Sequence, residues 1–526
     1  MNAQAPMPLI PLIPENAPFN AEQRAWLSGF LAGALALETP AGSVALPAPA
    51  TGEEDDAPWH DPAMALEERM QLAEGKPLAR RMMAAMAQQD CGQCGYDCAA
   101  YSKAISEQGE DRLNLCAPGG KETARMLKKL VEETGGGVIG PEERAAKPAP
   151  EPVSSVQGYS RATPVKALFL ARHRLNGAGS EKVTNHIEID LSESGVTYEA
   201  GDSLGVFAHN DPALADAVLA ALHAPADFPI GGRILRDVLI EDVSLGLAPD
   251  MLFQLISFLT GGERRQKAQA LARGEDPDGD AQTLDVLAAI EKFAGIRPDP
   301  EAFVESLEPL QPRLYSISSS PRANPGRVTL TIDTVRYPIG ARERLGVAST
   351  WFAERLPVGA PLRIYVQKAH GFGLPLDPAT PIIMVGPGTG IAPFRAFLQE
   401  RLAQKAQGGA WLFFGHQHEA SEFFYREELE GLRAAGALTQ LSTAWSRDGA
   451  QKVYVQDRMR EAGAELWSWL ARGAHFYICG DAKRMAKDVE DTLCAIAAAH
   501  GGLDGPAAKA FVAGLKKTGR YQADVY

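Results

Sequence analysis

The first twenty of the 526 residues contain no lysine and no arginine. The charged region that opens a secretory leader is therefore missing, and a cytoplasmic protein is expected. Long hydrophobic runs are missing too. The longest, Trp26 to Leu37, is well short of the roughly 20 residues a spanning helix requires, so no membrane association is expected. Basic residues are in deficit, with Lys+Arg 52 against Asp+Glu 66 and a net charge of −14, which argues against a nonspecific nucleic-acid partner. Cysteine is scarce, at six, and in that compartment a disulfide framework is not expected. Material for globular cores is not lacking: 45% of residues are hydrophobic and 22% charged. At about 150 residues per domain the length asks for three or four units.

Punctuation along the chain divides it. A Pro-rich lead, a helix-like run over Glu22–Leu37 and a Pro/Ala/acidic linker make an N-terminal segment, 1–62. A helix is expected over 63–89 and another over Lys121–Glu133, with a cysteine cluster between them, which gives a small α-helical unit over 63–134. Residues 135–163 are a Pro/Gly/Ala-rich linker. Strand patterns then appear at Val165–Ala171 and His186–Leu191, give way to a mostly helical stretch over about 211–293, and return at Pro312–Ser319 and Val328–Val335, within a unit over 164–380. From 381 to 526 apolar strands alternate with helices, the mark of a doubly wound α/β parallel sheet. The fold class is thus multidomain.

Four cysteines fall in one stretch: Cys91-Gly-Gln-Cys94-Gly-Tyr-Asp-Cys98, then seventeen residues, then Cys116-Ala-Pro. Clustered cysteines outside an oxidising compartment point to metal. Four thiolates suit either a 4Fe–4S cluster or structural zinc. Two features favour the cluster. Three cysteines surround one centre in a short Gly-bearing turn with a remote fourth, where zinc sites more often use two separated pairs, and a proline closely follows the fourth. Gly92 and Gly95 let backbone N–H groups approach the sulfides. Of the solitary pair, Cys494 reads as a core residue.

Several segments carry nucleotide chemistry. In Arg313-Leu-Tyr315-Ser316-Ile-Ser318, alternate residues share a strand face. Arg313 and Tyr315 therefore point together, one suited to a pyrophosphate and the other to an isoalloxazine ring, with Ser316 in reach of a flavin nitrogen; plain packing is the other reading. Gly346-Val347-Ala348-Ser349 opens a helix, as an anion site or a simple N-cap. Gly386-Pro-Gly388-Thr389-Gly390 joins a strand to a helix and permits close approach of a phosphate; no Gly-Lys-Ser/Thr follows, which excludes a Walker loop. Ser446, Arg447, Lys452 and Tyr454 gather groups that suit a 2′-phosphate, and so NADPH over NADH, or else form a solvated basic patch. Cys479-Gly480-Asp481 ends a strand and opens a helix, leaving Cys479 a reactive thiol or a small buried hydrophobe.

RLYSISSS, GVASTW, GPGTGIAPFR, the segment Tyr198-Glu-Ala-Gly201-Asp202-Ser-Leu-Gly205-Val and the ending Asp524-Val-Tyr526 together resemble the FAD and NADP modules of the diflavin reductases, in the ferredoxin–NADP reductase superfamily. The flavoprotein (alpha) subunits of NADPH-dependent sulfite reductase are similar in particular. The resemblance covers 164–526 and implies an antiparallel β-barrel FAD domain with a helical connecting insert, followed by an NADPH domain. It implies that Arg313, Tyr315, Ser316, Ser318, Gly346, Val347, Ala348 and Ser349 contact FAD. It implies that Gly386, Gly388, Thr389, Gly390, Ser446, Arg447, Lys452, Tyr454, Gln456 and Asp481 hold NADPH. It also implies that Cys479 lies beside the nicotinamide, that Asp524 polarises the cysteine or the carboxamide, and that Tyr526 stacks on the flavin and swings away. Ser316, Cys479, Asp524 and Tyr526 are then the catalytic group.

Diflavin reductases carry an FMN-binding flavodoxin domain ahead of the FAD module. Here the only phosphate-turn candidate, Ala50–Glu54, follows a Pro/Ala linker and runs into acids. The cysteine unit stands in its place, and some bacterial sulfite reductase flavoprotein subunits resemble this CGQCGY…C-x-PGGKETARML front end. The expected cofactors are FAD, NADPH and a 4Fe–4S cluster, without FMN. The expected partner is a sirohaem sulfite reductase (beta) subunit, or another redox haemoprotein, in assimilatory reduction of sulfite to sulfide. The alternatives are a general NADPH reductase for a nitrate or nitrite reductase or a ferredoxin, and a zinc-stabilised docking arm with electrons leaving FAD directly.

Overall fold

The computed structural model of the chain describes residues 57–62, 64–110, 112–133, 156–339, 342–369 and 371–526. The helix expected over Glu22–Leu37, the linker up to residue 56 and the linker over 134–155 lie outside the described residues. Among the described residues no helix is long and apolar enough to cross a membrane.

The cysteine unit is built from short helices. Leu66–Leu72 and Leu78–Ala85 replace the single helix expected over 63–89. The break is local chemistry. Gly75 takes φ 74°, a left-handed value that glycine adopts freely, and Pro77, with no N–H to donate, stands at the cap of the second helix. Cys98–Lys103 begins at Asp97, whose carboxylate accepts from the Ala100 N–H at 2.6 Å, and runs on into a π turn, Ala104–Gln108. Gly120–Glu133 turns Thr123, Leu127 and Leu130 inward, the i, i+4, i+7 spacing of one helical face. There the two leucines meet Met82, Met86, Tyr101 and Ile105 in one core.

Six antiparallel strands follow. Their order in the sheet is Arg313–Ser316, Ser203–Phe207, Pro361–Gln367, Val165–Arg174, Thr184–Asp190 and Arg327–Asp333. The sheet closes on itself as a barrel. Ile317, just past one edge strand, bridges Leu330 on the other, and the Ser318 N–H donates to the Thr329 carbonyl at 2.8 Å. Alternate residues, such as Leu204 and Val206 or Ile364 and Val366, fill its interior. Between Phe207 and Arg313 the chain leaves the barrel to form helices with an apolar core of their own. This insert runs past 293, because Asp299 caps one more helix, Pro300–Glu305, with proline at its first turn.

The last unit is a five-stranded parallel sheet in the order Gln440–Trp445, Ala410–His416, Ile382–Val385, His475–Gly480 and Tyr521–Val525. All four residues of the central strand are buried, as a sheet covered by helices on both faces requires. The C-terminal strand was not part of the expected alternation. It sets Asp524 directly beside Cys479.

The cysteine unit is fastened to the barrel and to the insert. Arg125 pairs with Asp250 at 3.1 Å, Asn114 donates to Glu308 at 3.2 Å, and the Gln93 side chain donates to the Pro312 carbonyl at 2.7 Å. Arg161 in turn donates to the Gln93 carbonyl at 3.0 Å.

Candidate functional site

Steric demands explain the glycine-rich turn. A Cβ on Gly386 would collide with the Gly390 carbonyl, and one on Gly390 would collide with the Cys479 carbonyl. Gly388 has φ 59°. The chain therefore doubles back tightly from Ile382–Val385 into the helix Ile391–Gln404, and the turn itself, at Pro387, Gly388 and Thr389, lines a cavity. That cavity, of about 300 Å³, is lined by Gly388, Thr389, Gly480 and Asp481 from one side and by Lys182, Thr184 and Asp333 of the barrel from the other. Tyr526 lies at its mouth. Its hydroxyl bonds to the Thr389 hydroxyl at 2.8 Å, and its N–H donates to the Gly480 carbonyl.

Behind the turn three of the expected catalytic side chains converge. Ser316, from the barrel strand, donates its hydroxyl to Asp524. The Cys479 thiol lies 3.6 Å from the same carboxylate oxygen. Removal from water raises the Asp524 carboxyl above its ordinary value of 3.8, partly offset by these two donors. Burial raises the Cys479 thiol well above its ordinary value, and the Asp524 carboxylate adds to the effect. Cys479 is fully buried, with its thiol placed to donate to Asp524.

The 2′-phosphate group of residues divides. Ser446, Tyr454, Gln456 and Asp481 line a second cavity of about 470 Å³ that continues from Gly388. Asp481 also accepts from the N–H groups of Arg484 and Met485, which settles the entry to the helix Met485–Gly501. Arg447 instead pairs with Glu181 at 3.0 Å, and Lys452 is exposed. His416 and Lys182, which line the same cavity, were missed in the sequence because no motif surrounds them.

Among the expected FAD residues, Tyr315 stands half-buried with its ring edge-on to Phe352. Arg313 donates to the Gln311 carbonyl at 2.6 Å. Ser318 turns inward: it is fully buried, and its hydroxyl bonds to Thr329 at 2.8 Å, so it ties the barrel seam instead of facing a ligand. Ser349 accepts from the Val335 N–H at 3.1 Å and holds the loop beneath Gly346. Val347 faces a cavity of about 660 Å³, whose walls include Arg342, Arg344 and Arg355. None of these arginines sits in a recognisable motif. Cys494, expected in the core, is only half-buried at its margin.

All four clustered cysteines line one small space, with Met86, Tyr101 and Pro118 among its walls. Cys98 and Cys116 are buried, Cys91 and Cys94 half-buried. Burial pushes the Cys91 thiol up to about 11, opposed by the backbone N–H of Gln93. Burial likewise raises Cys116, against the backbone of Ala87 and Gly119. Such sulfurs are costly as bare thiolates and suited to a cationic centre, whose binding releases their protons. Among the described residues no three His, Cys, Asp or Glu side chains form a group that would hold a single metal ion. Zinc needs sulfurs at about 2.3 Å from one point. Four cysteines around a shared space, with backbone N–H groups near Cys91 and Cys116, are residues whose chemistry suits a metal centre.

The FAD binding domain family matches residues 158–230 and 242–351, and the Oxidoreductase NAD-binding domain family matches 384–491. The sulfite reductase [NADPH] flavoprotein alpha-component of Bacillus subtilis (strain 168) is 41% identical over 430 residues, spanning 81% of this chain and 70% of that protein. That of Photorhabdus laumondii is 40% identical over 415 residues, 77% of this chain and 67% of that protein. That of Yersinia pestis is 42% identical over 382 residues, 71% of this chain and 62% of that protein.

Proposed function

The chain belongs to the family of sulfite reductase [NADPH] flavoprotein alpha-components, NADPH-dependent oxidoreductases with FAD- and NAD-binding domains, and from that premise we propose that it carries electrons from NADPH to a sirohaem sulfite reductase subunit by way of a 4Fe–4S cluster held by Cys91, Cys94, Cys98 and Cys116. FAD supplies a two-electron hydride acceptor and the cluster a one-electron relay. The remaining work falls to side chains. The glycine turn and the first helical N–H groups receive the dinucleotide pyrophosphate. Arg313 and Tyr315 hold FAD from the barrel strand. Asp524, kept in place by Ser316 and Cys479, puts negative charge beside the ring that turns cationic as NADPH loses hydride, the form of stabilisation that acts only along the reaction path. Tyr526 covers the entrance and moves aside for the nicotinamide.

One observation carries the electron exit: the four cysteines share one small space, and the turn that bears two of them is tied by Gln93 to Pro312, next to Arg313 on the barrel strand. Protein isolated without oxygen is expected to hold iron and acid-labile sulfide at about four each per FAD. It should also show a broad absorption band that bleaches with NADPH. Flavin without iron, or with zinc alone, overturns the cluster. Reconstitution with a sirohaem subunit should yield sulfide; reduction confined to a nitrite reductase or a ferredoxin overturns the acceptor.

The cofactor preference has a separate test. Arg447, paired with Glu181, and the exposed Lys452 do not line the cavity in this structure, and each would have to turn to reach a 2′-phosphate; replacing them by alanine removes both cations. A hydrogen bond to a charged group contributes about 1.5–3 kcal/mol. The KM for NADPH is therefore expected to rise at least ~10-fold per residue, with the KM for NADH unchanged. Equal effects on both nucleotides would show a general loss of fold instead.

A further inference from the structure

The Tyr365 ring is fully buried, and its hydroxyl has no hydrogen-bond partner among the described residues. Buried hydroxyls are nearly always paired, so the exception calls for a partner the protein atoms do not supply. The position of the ring is imposed. Tyr365 stands opposite Gly205 on the neighbouring strand, and a Cβ at Gly205 would collide with the ring itself. Glycine is needed there for the ring to lie across the sheet.

The face of the strand that carries Tyr365 also carries Gln367, two residues on. The cysteine turn covers this face. A Cβ on Gly92 would sit 2.6 Å from the Gln367 amide nitrogen, and one on Gly95 would meet the Arg161 side chain at 3.5 Å. The ionisable groups that bear on the Tyr365 hydroxyl are Arg161, Cys91 and Cys94. Arg161 is itself fixed on the Gln93 carbonyl at 3.0 Å.

Resting on the cluster reading above, we propose that the Tyr365 hydroxyl is a hydrogen-bond donor to the iron–sulfur centre held by Cys91, Cys94, Cys98 and Cys116, and that it raises the electron affinity of that centre. Donors to cluster sulfur favour the reduced state, which carries the extra negative charge. The same side chain spans the sheet between the barrel and the cysteine unit, so it adjusts the relay at the point where electrons leave the flavin domain.

Tyr365→Phe keeps the ring and its burial and removes only the O–H. In the anaerobic holoprotein, spectroelectrochemical titration is expected to show the electron distribution between cluster and FAD shifted about tenfold toward FAD, equal to about 59 mV on a one-electron centre. Incorporation of 3-fluorotyrosine at 365, a more acidic donor of nearly the same shape, is expected to shift it the opposite way. Iron and sulfide content stay unchanged. Identical potentials in all three proteins with intact clusters overturn the proposal and leave the cluster reading standing. Wild-type protein without iron and sulfide overturns both. Should the phenylalanine variant lose its cluster, the sign of the fluorotyrosine shift decides alone.

Discussion

Cys98→Ser is expected to leave reduction of the bound flavin by NADPH intact while electron delivery to the haemoprotein falls by more than ~10²-fold. Even a supporting group around a metal is worth about 10–100-fold in affinity or activity, and Cys98 is proposed as a ligand. The position is well suited to the test. Cys98 is buried at the start of its helix, and its N–H donates to Asp90 at 2.8 Å. Asp90 also pairs with His60 at 3.0 Å. Serine keeps that backbone contact and the helix start, so the fold around the cavity should survive. Two measurements separate the outcomes: stopped-flow bleaching of the flavin by NADPH, which should match wild type, and acid-labile sulfide, which should collapse. Full delivery to the haemoprotein from a serine variant lacking sulfide would show that electrons bypass the cysteine unit.

The second large effect is expected at Asp524. Asp524→Asn should lower the rate of hydride transfer by about 10²-fold, the size of effect seen when one preorganised electrostatic group is lost. A primary isotope effect with deuterated NADPH should become fully expressed. The raised carboxyl gives the pH dependence its sign. The ionised form is the useful one, and it is lost as pH falls through a value higher than the ordinary 3.8. The wild-type rate should therefore fall on the acid side earlier than an exposed aspartate would dictate, and the Asn variant should lack that limb. Stability runs the other way. Holding this charge away from water destabilises the fold at neutral pH, and the penalty fades as pH drops through the raised folded value. Asp524→Asn should lose rate while keeping or raising its Tm. A parallel loss of rate and Tm would assign Asp524 a structural role.

What the sequence disclosed followed from how local each constraint is. Gly386 and Gly388 were legible because each answers a contact or a dihedral within its own turn, whereas the contact that requires Gly390 comes from the Cys479 carbonyl on another strand. The gathering of the four cysteines around one space was legible because their close spacing survives without knowledge of the fold. The last helix of the cysteine unit, expected over Lys121–Glu133 and found over Gly120–Glu133, was legible from local pattern. Constraints reaching across the chain were not. Gly75 and Pro77 were visible, yet the apolar pattern runs through them, so one helix was read where two exist. Ser318 had the right neighbours for a ligand contact, and only the closure of the barrel at Ile317–Leu330 shows its hydroxyl taken by Thr329. Arg342, Arg344 and Arg355 come together around one cavity only after a hairpin and a π turn have been placed. Tyr365 looked like any strand tyrosine, because its meaning depends on a glycine 160 residues earlier in the chain and on a turn from another unit.

The anchors of the cysteine unit also bear on how such a protein can be recombined. A graft of residues 57–133 alone onto a foreign reductase would carry all four cysteines but would leave behind Asp250, Glu308 and the Pro312 carbonyl, the groups that Arg125, Asn114 and Gln93 hold. The portable unit is larger: the cysteine-bearing segments together with the helical insert and the barrel edge beneath them, inherited as one block.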